Sequence, residues 1–158
     1  VWMSLIAQAC GVYSFTGASI PPEAESVEIQ YFKNQTDMVE ATLSQDFTNS
    51  LKEKFASQTN LDVVESQGDL VFEGYIQDYK TEPTAIQGNQ TAALNRLTIT
   101  VFVKFTNKVE PEANFETTFS QYREYSSNKS LSEVKESLIT EINQDLVEDI
   151  FNQSVVDW

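Results

Sequence analysis

Residues 97–105 read LTITVFVKF. Leu97, Ile99, Val101, Val103 and Phe105 alternate with Thr98, Thr100 and Lys104, and a period of two predicts a strand that buries one face. Such a strand needs neighbours and a cover, which the flanking chain supplies. Leu70–Tyr79 has the same character, with Leu70, Phe72 and Ile76 on one face. Gly74 falls on that face too, where it admits a helix or marks a bulge. Phe115–Tyr125 is rich in Thr and aromatics and suits a pleated surface. The TNKVEPEAN segment before it turns the chain.

Upstream, Val27–Tyr31 alternates as a half-buried strand, residues 32–41 read as a polar connection, and 61–64 form a short strand broken by SQGD. Leu43, Phe47, Leu51 and Phe55 recur every fourth residue, which predicts an amphipathic helix over 43–58 with Thr42 and Gln45 as its capping box. A longer C-terminal helix follows Ser130, capped by Ser130 and Glu133. Its stripe of Val134, Leu138, Ile142, Leu146 and Ile150 is widened by Ile139 and Phe151. Residues 130–158 carry seven acids and one lysine, with Glu133 and Glu136 at the favourable end of the helix dipole and the later acids read as a solvated face.

The order strand, helix, strands, helix predicts an α+β two-layer sandwich: a mixed sheet of four to five strands with both helices on one face. The other face, carrying Tyr75, Tyr79, Phe102 and Tyr122 among Thr, Lys and Glu, is either solvated or met by a partner.

Composition narrows the function. The chain has 158 residues, 10 basic and 24 acidic side chains, one cysteine and no histidine. A net charge of −14 excludes nucleic acid as a partner, since phosphate binding needs clustered Lys and Arg. Without histidine there is no imidazole metal ligand and no Ser-His or Cys-His pairing. No P-loop, GxGxxG or EF-hand spacing occurs, so neither cofactor nor metal is expected. Paired-carboxylate hydrolysis survives on inventory alone, but no spacing singles out a pair. The expectation is a protein that is not an enzyme.

The single cysteine, Cys10, follows VWMSLIAQA, an uncharged apolar stretch with small residues at Ala7 and Ala9. That stretch is too short to span a bilayer and reads as the remnant of a signal peptide over 1–9. Cys10 at its boundary resembles the cysteine of a bacterial lipobox, although Ala7 stands where leucine is usual. Cys10 is therefore read as a lipid attachment site, 10–25 as a tether, and 26–158 as one α+β domain. Two or more acyl chains would hold such a protein stably on a membrane.

The segment AIQGNQTAALNRL at 85–97 is longer than an ordinary hairpin loop needs, and Arg96 is its only charge. Gln87, Asn89, Thr91, Asn95 and Arg96 suit hydrogen bonding in a polar cavity or interface and are the candidate partner-binding residues. The bland readings are a plain loop or an extension of the two strands. Arg96 offers a donor fork for a carboxylate or phosphate, or simply a surface salt bridge.

CGVYSFTGASIPP, LSQDFTNSLKEKFASQTNL, GDLVFEGYIQDY, AIQGNQTAALNRLTITVFVKF and LVEDIFNQSVVDW together resemble the LptE family of the Bacteroidota, from Cys10 to Trp158. The resemblance implies two helices on a four- or five-stranded sheet. It also implies a lipoprotein on the periplasmic side of the outer membrane, in a 1:1 complex with the β-barrel LptD. There it would plug and help assemble the barrel that carries lipopolysaccharide to the cell surface. Lipopolysaccharide contact is proposed for proteobacterial relatives through basic residues near a strand end, and Arg96 is the nearest candidate. The alternative is a stand-alone periplasmic lipoprotein that binds a small molecule or another envelope protein.

Overall fold

The alternating stretch at 97–105 lies inside the middle strand of a long antiparallel meander. The computed structural model describes residues 20–38, 40–84 and 93–155. In chain order the strands are β1 (Ser26–Ile29), β2 (Lys33–Asn34), β3 (Asp62–Val64), β4 (Leu70–Thr84), β5 (Leu94–Asn107) and β6 (Phe115–Ser126). The helices are α1 (Leu43–Gln58) and α2 (Leu131–Val155). The sheet order is β3-β1-β4-β5-β6, with β2 beside β4 beyond the end of β1. The pairings β1–β3, β1–β4 and β2–β4 are parallel, and β4–β5–β6 is antiparallel. This is the mixed sheet of an α+β sandwich, with both helices on one side.

Residues 32–41 are more than a connection. Phe32 is fully buried, and Lys33–Asn34 pair with Tyr75 and Ile76 of β4. Gly74 makes room for Phe32: a Cβ there would lie 2.5 Å from Phe32 Cε1 and closer still to the Phe102 carbonyl oxygen. It therefore marks neither a helix contact nor the bulge, which comes between Ile76 and Asp78.

That bulge corrects one side-chain placement. Strict alternation puts Tyr79 with Tyr75 on the open face. The extra residue at Gln77 reverses the parity, so Tyr79 pairs with Ile99 on the helix side and is 4% exposed.

The helices form as their stripes predict, because the apolar face buries against the sheet. Leu43, Phe47, Leu51 and Phe55 of α1 and Ile142, Leu146 and Ile150 of α2 are fully buried. The rings run in a chain across the layers, with Phe151–Phe55, Phe55–Phe72, Phe72–Phe105 and Phe105–Phe115 centroids 5.1, 5.0, 4.7 and 5.2 Å apart. Each such pair contributes about 0.5–1.5 kcal/mol beyond its burial.

The caps differ. Thr42 has helical dihedrals (φ −98°, ψ −14°) and makes no side-chain cap. A capping side chain reaches the first turn from extended backbone, so the box expected of Thr42 and Gln45 does not form. At α2 the Glu133 carboxylate accepts from Ser130 N–H at 2.6 Å and from its Oγ–H at 2.7 Å. The later acids of α2 are not simply solvated. Arg123 of β6 donates to Glu141 at 2.9 Å and Asp145 at 2.7 Å, and the Gln121 amide donates to Asp149 at 2.6 Å. Among the described residues no helix is long and apolar enough to cross a membrane.

Candidate partner interface

Register settles what the open face presents. Five rows cross β4, β5 and β6 on the side away from the helices: Glu73–Lys104–Glu116, Tyr75–Phe102–Thr118, Asp78–Thr100–Ser120, Lys80–Thr98–Tyr122 and Glu82–Arg96–Glu124. The aromatic and hydroxylic side chains fill most of the middle three rows, where Asp78 and Lys80 on β4 are the charges, and the two end rows are wholly charged. Tyr75 and Phe102 stack at 5.1 Å, Thr100 and Ser120 share a 2.9 Å hydrogen bond, and Tyr122 is 48% exposed. Directly opposed pairs of these kinds stabilise an antiparallel sheet.

The basic side chains on this face have acidic neighbours. Lys104 lies 3.7 Å from Glu73, and Lys80 lies 3.7 Å from Asp78 and 3.5 Å from Glu82. Arg96 donates to Glu124 Oε1 through Nη2 at 2.7 Å and Nε at 3.3 Å. Its guanidinium carbon stands 4.1 Å from the Tyr122 ring centroid, a cation–π geometry. The hydrogen bond to Glu124 raises the Arg96 pKa above its ordinary value, against a smaller opposing effect of burial. Arg96 thus has the surface salt bridge of its bland reading, and among the described residues the face offers no cluster of free cations for phosphate.

Of the candidate residues, Asn95 and Arg96 are neighbours on β5 and so lie on opposite faces: Asn95 pairs with Pro83 and Tyr125, Arg96 with Glu82 and Glu124. They do not form one site. Gln87, Asn89 and Thr91 lie outside the described residues, as does Cys10. Part of 85–97 is strand extension, since β4 continues to Thr84 and β5 begins at Leu94. Sequence reasoning missed the Arg123 contact with α2. The available signal was the i, i+4 spacing of Glu141 and Asp145 on one helix face.

Among the described residues no group of His, Cys, Asp or Glu could hold a metal ion.

A family model described as LptE, lipopolysaccharide-assembly, matches residues 24–154. No curated protein matches the chain. Among solved structures, a minor lipoprotein from Acinetobacter baumannii is 14% identical, with TM-score 0.55 over 82% of this chain and 91% of that one. A hypothetical protein from Chlamydia trachomatis is 9% identical, with TM-score 0.54 over 83% and 98%. A putative neuraminyllactose-binding hemagglutinin homolog from Helicobacter pylori is 10% identical, with TM-score 0.54 over 89% and 88%. At these identities the likeness is one of fold.

Proposed function

The chain belongs to the LptE family of non-enzymatic, outer-membrane-associated lipoproteins of lipopolysaccharide assembly, and from that membership we propose that it plugs and helps assemble an LptD β-barrel in a 1:1 complex. The observation that carries this reading is the family match over 24–154, which takes in every described strand and all but the last residue of α2. The hydrolase reading falls with it. The quoted blocks favour the Bacteroidota branch of the family.

The open sheet face supports a role inside a barrel. A barrel lumen is polar, and a plug meets it best through hydroxyls, aromatics and charges that are already paired. Direct binding of lipopolysaccharide phosphate by Arg96 would have to displace Glu124, so the role of this face is chiefly structural.

Topology supports an orientation as well. β1 is parallel to β4 and pairs with its first residues, so the chain enters the fold at the end opposite the β4–β5 connection. The 15 residues of β4 span about 45 Å. A lipid on Cys10 would anchor the first of these poles to the periplasmic side of the outer membrane and turn the other pole, where β4 ends and β5 begins, towards the barrel.

The test is affinity purification of the full chain from envelopes in mild detergent. An outer-membrane barrel should come with it in equal amount, and recovery only as a free monomer would sink the proposal in favour of a stand-alone lipoprotein. Ala93→Glu should reduce barrel recovery without changing the melting of the isolated chain.

A further inference from the structure

The sheet has two edges, and they are built differently. β3 is three residues long, and shortness is itself a protection. β6 is 12 residues long and contains no Pro, Gly or Lys. It pairs with β5 in unbroken register and has no other strand beside it among the described residues. A long edge of this kind is a template for a further strand.

The hydrogen-bond phase says which residues offer it. Ser127 N–H donates to the Ala93 carbonyl at 3.0 Å, and hydrogen-bonded pairs alternate along an antiparallel ladder. The odd-numbered residues of β6 therefore bond to β5, while Glu116, Thr118, Ser120, Tyr122 and Glu124 turn their N–H and C=O groups outward. All five are exposed. Arg123 closes one of these places, since its Nη1 donates to the Tyr122 carbonyl at 3.0 Å. From Glu116 to Ser120 no described residue bonds to the outward groups.

Charge selects the occupant. Glu116 ends the Glu73–Lys104–Glu116 row at this edge. On the helix side Asp149 of α2 accepts from the Gln121 amide at 2.6 Å. Neither carboxylate has a basic partner within 4.0 Å among the described residues. An added strand brings one side chain beside each, on opposite faces. A second copy of this chain fits badly. A two-fold at Ser120 sets Glu116 against Glu124, and like charges directly opposed destabilise a strand pair. It also brings together the acids of two α2 helices that border β6.

We propose that residues 116–121 of β6 accept an extended segment of a partner protein as an added strand. Lys or Arg stands opposite Glu116 and Gln121 in that segment, with β-branched residues between them. This goes beyond barrel plugging and stands whether or not the chain enters a barrel.

Amide hydrogen exchange of the full chain, ¹⁵N-labelled, is followed with and without the blocked hexapeptide Lys-Thr-Val-Thr-Val-Lys. In the free chain the Thr118 and Ser120 amides should exchange fast and Phe119 between them slowly. The peptide should slow Thr118 and Ser120 saturably, and a version with Glu in place of both Lys should bind about tenfold more weakly. Thr118→Pro removes an outward N–H and leaves the bonds to β5 intact, so it should abolish binding with little change in thermal midpoint. The exposed Glu116→Lys should weaken binding and carries the test alone if Thr118→Pro fails to fold. Slow exchange of Thr118 and Ser120 in the free chain would mean that the edge is already covered. Protection that grows with protein concentration alone would make the occupant a second copy. Equal binding of the glutamate peptide would mean unselective strand pairing, and each of these three results overturns the proposal.

Discussion

The phenyl ring of Phe32 occupies the space that a side chain on Gly74 would take, with Cε1 2.5 Å from an ideal Cβ there. Phe32 is held from behind as well: its ring meets Phe47 of α1 edge-on at 5.2 Å, and its N–H donates to Thr48 Oγ1 at 3.1 Å. Helix, connection and sheet are thus locked at one point.

Gly74→Ala should therefore destabilise the fold, although alanine in a strand usually gains over glycine. The added methyl meets both the ring and the Phe102 carbonyl oxygen, and the backbone atom cannot move aside alone. Overpacking of this kind costs about 1–3 kcal/mol, or roughly 2–12 °C in thermal midpoint for a chain of this size. Thermal unfolding at pH 7 measures it, and an unchanged midpoint would show that the ring has room to withdraw.

Arg123 joins β6 to α2 through Glu141 and Asp145. Hydrogen bonds to Asp145 first, then to Glu141, raise its pKa, so it stays charged at any working pH. Its side chain is 31% exposed, which limits the energy. Arg123→Gln should cost about 1 kcal/mol at low salt. Paired denaturant titrations at low and high salt check this: the difference should shrink in 1 M salt, where the screening length falls to about 3 Å.

What the sequence made legible is what its local periods encode. The strand at 97–105 and the stripes of α1 and α2 need only neighbours two to four residues away, and they form where the patterns place them. The relations that set the surface are longer in range. Arg96 meets Glu124 because the β5–β6 register aligns them. That register is fixed at the far turn, where Asn107 Oδ1 accepts from the N–H groups of Val109 and Glu110 at 2.9 and 2.8 Å and Asn114 Oδ1 accepts from Asn107 N–H at 2.6 Å. The Gln77 bulge leaves no local signature, so plain alternation puts Tyr79 on the wrong face. Of the candidate site, only the Arg96 salt bridge is legible in the sequence, as one of two uses.

Asp69 ties the entry of β1 to the start of β4. Its Oδ2 accepts from Glu25 N–H at 3.0 Å, Ser26 N–H at 3.0 Å and Ser26 Oγ–H at 2.8 Å. The Glu25 backbone bond, followed by the Ser26 hydroxyl, holds its carboxyl below the ordinary value of 3.8. The folded carboxyl thus binds its proton less readily than the unfolded one. Its stabilisation is complete above the ordinary value and is lost as pH falls through the lower, folded value. Asp69→Asn should therefore be less stable than the parent at pH 7, and the gap should narrow as pH drops below 3.8. Urea unfolding across that range decides it, and a gap independent of pH would assign the role to hydrogen-bond geometry rather than charge.

Tyr75 and Tyr79 give the sharpest test of the sheet, since four positions along a regular strand would leave both rings on one face. In the structure Tyr75 stacks on Phe102 on the open side, while Tyr79 is buried under the helices and its hydroxyl has no partner among the described residues. Burial, then Glu40 and Tyr125, raises the Tyr79 pKa, so the hydroxyl stays protonated at neutral pH. Replacing each by Ser should separate them. Tyr75→Ser loses a half-exposed stack, about 1 kcal/mol, whereas Tyr79→Ser opens a cavity costing about 3–5 kcal/mol. Tyr79→Phe should do the opposite, because it removes an unsatisfied buried hydroxyl and keeps the ring, raising the thermal midpoint by about 2–4 °C per kcal/mol recovered. Equal losses for the two serine variants would place both rings on one face and remove the bulge.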